Sequence, residues 1–122
     1  MFRLACLINA LLVLPFAVAC LIAPTFVFAQ FGIPVEGLAA GVARGYAATT
    51  LGWGISAALL SANTDPAAQR AFLWGSLAFN LAEVAIQLPL YLAGTVSPMI
   101  LVTIAGHGLA AAATLLAFRR IS

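Results

Sequence analysis

Residues 98–118 read PMILVTIAGHGLAAAATLLAF, twenty-one positions in which the one ionisable side chain is His107. At 1.5 Å of rise per residue, a helix of this length crosses the roughly 30 Å of a bilayer's hydrocarbon. Lipid offers the backbone no hydrogen-bond partners, so such a stretch must satisfy its own and is read as a helix. Outward from it, three more apolar stretches follow the same logic, at about 4–31, 38–60 and 66–93. The expected fold is all-α: one transmembrane domain over residues 1–122, an integral membrane four-helix bundle with antiparallel up-down topology.

Composition supports a membrane as solvent. Of the 122 residues, 65% are hydrophobic and 7% charged, and the mean hydropathy is +1.16. Soluble domains carry about 25% charged residues, and disordered chains are polar and charged rather than apolar. A net charge of +2 from five arginines and no lysine leaves no basic stripe and excludes nucleic acid as an expected partner.

The breaks between stretches carry turn chemistry. Gly32, Pro34 and Gly37 interrupt after the first. Asn63, Thr64 and Asp65 precede Pro66, a cap followed by proline at the first helical position. Gly94 closes the third stretch, and Ser97-Pro98 opens the fourth. Pro15 and Pro24 should kink the first helix, since each removes a backbone donor.

Arg3, Arg70, Arg119 and Arg120 fall on one side of a four-span chain, with Arg44 alone towards the other. Positive-inside asymmetry then puts both termini of this multi-pass chain in the cytoplasm. Trp74 and Tyr91 suit the two interfacial belts. Arg3, the apolar run and Val27-Phe28-Ala29 also resemble a secretory signal. The run is longer than such signals use, so a retained first helix is expected, with cleavage as the alternative. Cys6 and Cys20, about 21 Å apart along one intact helix, cannot pair with each other.

Small residues recur at helical spacing. Gly41, Gly45, Ala48 and Gly52 form a stripe on the second helix, as do Gly75, Ala78, Ala82 and Ala85 on the third, and Gly106, Ala110 and Thr114 on the fourth. Such stripes let helices approach closely. The expected use is packing within one chain, with a second copy or a larger membrane complex as the alternative, beyond the surrounding lipid.

The chemistry-bearing residues lie inside the spans. Asn80, Glu83 and Gln87 share one face of the third helix at spacings of three and four. Glu83 and His107 are each about twelve residues from the intervening loop, which brings them to one depth near the midplane. Arg44 lies about two turns inside the second helix and, like Gln87, one to two turns nearer the outer face, a difference much of which a long arginine side chain can span. A central charge costs about 2.5–3.5 kcal/mol on insertion scales, so Glu83 is expected to be protonated, paired or facing water. Asn9, alone in the first helix, is expected to make an interhelical hydrogen bond, and Thr49 and Thr50 to bond back to their own helix.

Three uses of this cluster compete: a structural polar network, a cavity for an apolar ligand of lipid or quinone type oriented by Arg44, Glu83 and His107, and proton-coupled transport through Glu83 or His107. A lesser one is a tetrapyrrole pigment held by His107. No cofactor is specified. The chain contains no Gly-x-Ser-x-Gly, phosphate loop or His-Glu-x-x-His, and one histidine with three carboxylates makes a poor metal set. The expectation is a non-enzymatic membrane protein: an accessory subunit or an apolar-ligand binder.

Several short motifs resemble the small bacterial four-helix membrane proteins described as DoxX-like. These are Asn9-Ala10-Leu11-Leu12, Ala23-Pro24, Phe31-Gly32-Ile33-Pro34, Ala43-Arg44-Gly45-Tyr46, Leu51-Gly52-Trp53-Gly54 and the late His107. The resemblance spans most of the chain on motifs of low specificity. It implies an inner-membrane bundle of the kind associated with redox or stress-linked complexes, a retained first helix, and no catalytic residue to carry over. Small multidrug transporters share the length and span number, but their membrane glutamate lies in the first helix, where this chain has none.

Overall fold

The computed structural model describes residues 1–120, leaving Ile121 and Ser122 outside the described residues. The described chain is all-helical, with no strand: α1 Phe2–Ile22, α2 Pro24–Ala29, α3 Gly37–Leu60, α4 Pro66–Leu92 and α5 Ile100–Phe118. Helices α1, α4 and α5 are long and apolar enough to cross a membrane. The 24-residue α3 is long enough, but Arg44, two threonines and five glycines interrupt it, so it holds no stretch of crossing length as apolar as those in the other three. The expected four apolar crossings are thus three by this measure.

The first stretch is not one helix. Ala23 leaves the helical region at φ −137°, ψ 64°, and Pro24 starts α2. The proline ring pushes the preceding residue out of the α conformation, so α1 ends there rather than bending. Pro15 is accommodated within α1, with its own ring exposed.

The other ends form as the sequence dictates. The Asp65 carboxylate accepts from the Ala67 and Ala68 N–H groups at 3.0 and 3.4 Å, with Pro66 at the first position of α4. After α4, Gly94 adopts φ +68°. Its N–H reaches Tyr91 O, and the Thr95 N–H reaches Leu90 O. This is the paired closure that glycine's left-handed freedom permits at a helix C-terminus.

The main helix contacts run in the order α3, α1, α5, α4: α3 packs on α1, α1 on α5, and α5 on α4. Two of these approaches depend on glycine. A Cβ on Gly106 would lie 2.6 Å from Leu12 Cδ1, and one on Gly54 would lie 2.6–2.8 Å from Leu14 and Val13. Between α3 and α4 the backbones hardly meet. Side chains bridge this side instead. Trp53 lies against Gly75, stacks on Phe72 with centroids 5.2 Å apart and meets Phe79. The remaining space along this side is the cavity described below.

Cys6 and Cys20 are both buried and free. Phe2, Ala5, Cys6, Ala57, Phe72, Leu73 and Ala117 form one core cluster, and Cys20, Val27, Val35, Ala43 and Ala47 form another.

Candidate functional site: a roofed cavity beside a buried polar network

Four fully buried polar side chains meet in the bundle interior: Asn9 of α1, Ser76 and Asn80 of α4, and Thr114 of α5. Asn80 Nδ2 donates to Asn9 Oδ1 and to Ser76 O, both at 2.8 Å. Ser76 Oγ donates to Asn9 Oδ1 at 3.0 Å and shares a second 3.0 Å contact with Thr114 Oγ1. Asn9 Nδ2 and Thr114 Oγ1 return to their own helices at Ala5 O and Ala110 O. Every member is satisfied, as a buried polar cluster requires to avoid the desolvation penalty of unpaired groups. Asn9 does make the expected interhelical bond.

Asn80 also fixes the histidine. Its amide nitrogen faces two acceptors, so its Oδ1 faces His107 Nδ1, at 2.8 Å. An amide oxygen only accepts, hence Nδ1 carries the proton. In the neutral ring this leaves Nε2 as an acceptor, and the ring borders the cavity with Phe79 edge-on to it.

The cavity has a volume of about 360 Å³ and is lined by all five helices and the loop after α2, a size in the range of ordinary ligand pockets. Leu12, Val13 and Phe16 come from α1, Tyr46 and Thr50 from α3, and Phe79, Glu83, Ile86, Gln87 and Leu90 from α4. Ile100, Thr103 and His107 come from α5. Phe28, Phe31 and Ile33 close one end. That roof follows from the break at Ala23: the chain turns over the bundle end and is tied down there. The Ser97 N–H donates to Phe31 O at 2.8 Å, Ser97 Oγ to Gln30 O at 2.7 Å, and Thr25 Oγ1 to Val35 O at 2.8 Å.

Within this apolar lining Glu83 is held at both oxygens. Tyr46 Oη donates to Oε1 and Gln87 Nε2 to Oε2, each at 2.8 Å. Thr103 Oγ1 in turn bonds Gln87 Oε1 and Ile100 O. The Tyr46–Glu83 bond spans the thin α3–α4 side.

The structure therefore brings Glu83, Gln87 and His107 to one cavity, with Asn80 behind the histidine. Arg44 does not join them. Its Nε donates to Leu21 O at 3.2 Å, near the end of α1, and its side chain is exposed. The long guanidinium reaches along the surface to a carbonyl left open by the helix end rather than inward. Tyr46, two residues on, takes the place at Glu83 that the sequence suggests for Arg44.

The glycine stripe divides. Gly106 lies where α5 meets α1, whereas Gly41, Gly45 and Gly52 are exposed, with nothing within 4 Å of a Cβ built on any of them. The α3 stripe is thus not a seam within this chain. The close contact of α3 is made from another face, through Gly54.

Sequence reasoning gives no hydrogen-bonding role to Ser76, Thr114, Tyr46 or Thr103. Ser76 lies four residues before Asn80, and Thr103 four before His107, spacings that put each pair on one helix face. Thr50 does bond back to its own helix, at Tyr46 O, as Thr49 does at Gly45 O. Among the described residues no three or more His, Cys, Asp or Glu side chains come together as a metal site. Comparison of the chain with protein-family models, with curated proteins and with solved structures gives no match.

Proposed function

We propose that this protein is a non-enzymatic integral membrane protein that binds an apolar small molecule with one polar end, alone or as an accessory subunit of a larger membrane complex. The observation that carries the proposal is the roofed cavity of about 360 Å³, apolar over most of its lining, with Glu83 and His107 at one side. Mostly apolar walls with a few convergent polar groups are the usual form of a small-molecule site. The fixed histidine tautomer and the clamped carboxylate give such a ligand a defined orientation. The resemblance to DoxX-like proteins agrees with this reading and specifies no ligand.

In this reading α3 also crosses the membrane, giving four antiparallel spans with both termini cytoplasmic in a bacterial inner membrane. The arginine distribution supports the orientation, and the bond from Arg44 to a helix-end carbonyl suits a side chain reaching for the opposite interface. Retention of the first helix belongs to the proposal as well, because Asn9 completes the polar network and Leu12 fills the space over Gly106.

The test is purification into lipid nanodiscs, followed by extraction and mass spectrometry of what remains bound. Wild type is expected to carry a non-bilayer apolar molecule, and Leu90→Trp, which adds bulk at the cavity wall, is expected to lose it. A protein that carries nothing and binds no apolar probe sinks the proposal.

A proton-coupled transporter is the alternative, resting on Glu83 as a carboxylate within a span. It requires wild type to release more protons on ligand binding than Glu83→Gln. Equal release by the two ends that alternative.

A further inference from the structure

Resting on the ligand-binding reading above, we infer that the polar end of the ligand is a hydroxyl group: a hydrogen-bond donor that also accepts, on an otherwise apolar molecule. The donors along the cavity wall are already committed. The Tyr46 hydroxyl donates to Glu83, the Thr50 hydroxyl to Tyr46 O, and the single Thr103 hydroxyl hydrogen to Gln87 Oε1 or Ile100 O. His107 gives its Nδ1 proton to Asn80. One amide hydrogen of Gln87 goes to Glu83, which leaves the other as the single donor among these groups without a partner.

The capacity that remains is mostly accepting. His107 Nε2 has a lone pair and no protein partner. Each Glu83 oxygen receives one hydrogen bond and has room for another. An ether or ketone placed here can accept only from Gln87 and leaves Nε2 without a donor and the spare Glu83 lone pairs unused, which is costly in an apolar site. An ammonium head can donate but has no lone pair for the remaining Gln87 hydrogen. A hydroxyl answers both demands: its hydrogen goes to Nε2 or Glu83, and its oxygen receives from Gln87.

The experiment compares matched probes in nanodiscs at equal bilayer concentration, using para-octylphenol, its methyl ether and octylamine. The phenol is expected to bind at least about tenfold tighter than the ether, equivalent to about 1.4 kcal/mol, and tighter than the amine. Glu83→Gln, which keeps the shape and replaces an acceptor oxygen by a donor, is expected to shrink the phenol-to-ether ratio to less than about threefold. The wild-type comparison stands even if that variant does not fold. An ether that binds as well as the phenol, or an amine that binds better, overturns the hydroxyl assignment and leaves the cavity as a binding site. Failure of all three probes, with nothing apolar recovered from the purified protein, overturns the binding reading itself.

Discussion

Replacing Asn80 by leucine, alone and together with His107→Phe, tests the central packing claim. Leucine has nearly the shape of asparagine and none of its hydrogen bonds. Asn80→Leu removes two interhelical bonds, to Asn9 and to His107, each 2.8 Å long. Interhelical hydrogen bonds in membrane proteins contribute about 0.6 kcal/mol on average and up to about 1.7. The substitution also strands the His107 Nδ1 proton, and an unpaired buried donor costs about 1–3 kcal/mol. The expected destabilisation is roughly 2–4 kcal/mol. His107→Phe alone strands Asn80 Oδ1 and should cost about 1–3 kcal/mol. Made together, the two changes leave no unpaired group between these positions, so the double variant should be more stable than the sum of the single losses by about 1–2 kcal/mol. Reversible unfolding in mixed micelles supplies the numbers, with fluorescence of Trp53, stacked on Phe72, as a native-state reporter. Additivity within about 0.5 kcal/mol would show that Asn80 and His107 do not act as a unit and would remove the basis for the histidine tautomer.

The same unfolding assay checks the first four of five further substitutions, and probe dissociation checks the fifth. Gly54→Ala should cost about 1–3 kcal/mol through overpacking, because its Cβ would meet Leu14 Cγ and Val13 Cγ2 as well as a Leu14 methyl. Gly106→Ala meets only the far end of Leu12 closely and should cost less. Gly45→Ala, with open space around it, should be neutral or stabilise by up to about 1 kcal/mol through helix propensity, unless that stripe is covered by another chain in the membrane. Asp65→Ala should lose about 1 kcal/mol with the cap of α4. Tyr46→Phe removes one of the two donors that clamp Glu83; apolar-probe binding should become faster and weaker, measured as a higher dissociation rate.

The hydrophobic pattern made the helices legible, because a bilayer leaves so few backbone options. Asp65, Pro66 and Gly94 marked the start and end of the third stretch, since capping is a local matter of side-chain oxygens and left-handed freedom. Counting from the loop near Val96 brought Glu83 and His107 to the same level because two helices joined by a short turn must keep register. Arg44 could not be settled that way. It lies on a different helix pair, and its direction depends on rotation about the α3 axis, which composition does not encode. The same rotation turned Gly41, Gly45 and Gly52 outward and Gly54 inward. A four-residue glycine spacing shows that one face is smooth, not which face meets a neighbour.

The α1 break shows how one local rule reaches the site. A continuous helix over residues 4–31 would carry Phe28 and Phe31 on past the end of the bundle. Pro24 disfavours the helical conformation at Ala23, and here, unlike at Pro15, the chain turns. Ser97 then secures it through Phe31 O and Gln30 O, placing Phe28, Phe31 and Ile33 over the space left where α3 and α4 hardly meet. Without that roof, Glu83 and His107 would lose the Phe28, Phe31 and Ile33 part of their cavity wall. With it, their accepting atoms border a mostly apolar chamber, where a missing donor is expensive. The selectivity proposed for a hydroxyl head therefore depends on a proline more than fifty residues away in sequence. Extending the helix with Pro24→Ala should weaken the phenol-over-ether preference even though no residue contacting the head group has changed. A preference that survives intact in that variant would mean the roof plays no part in excluding water.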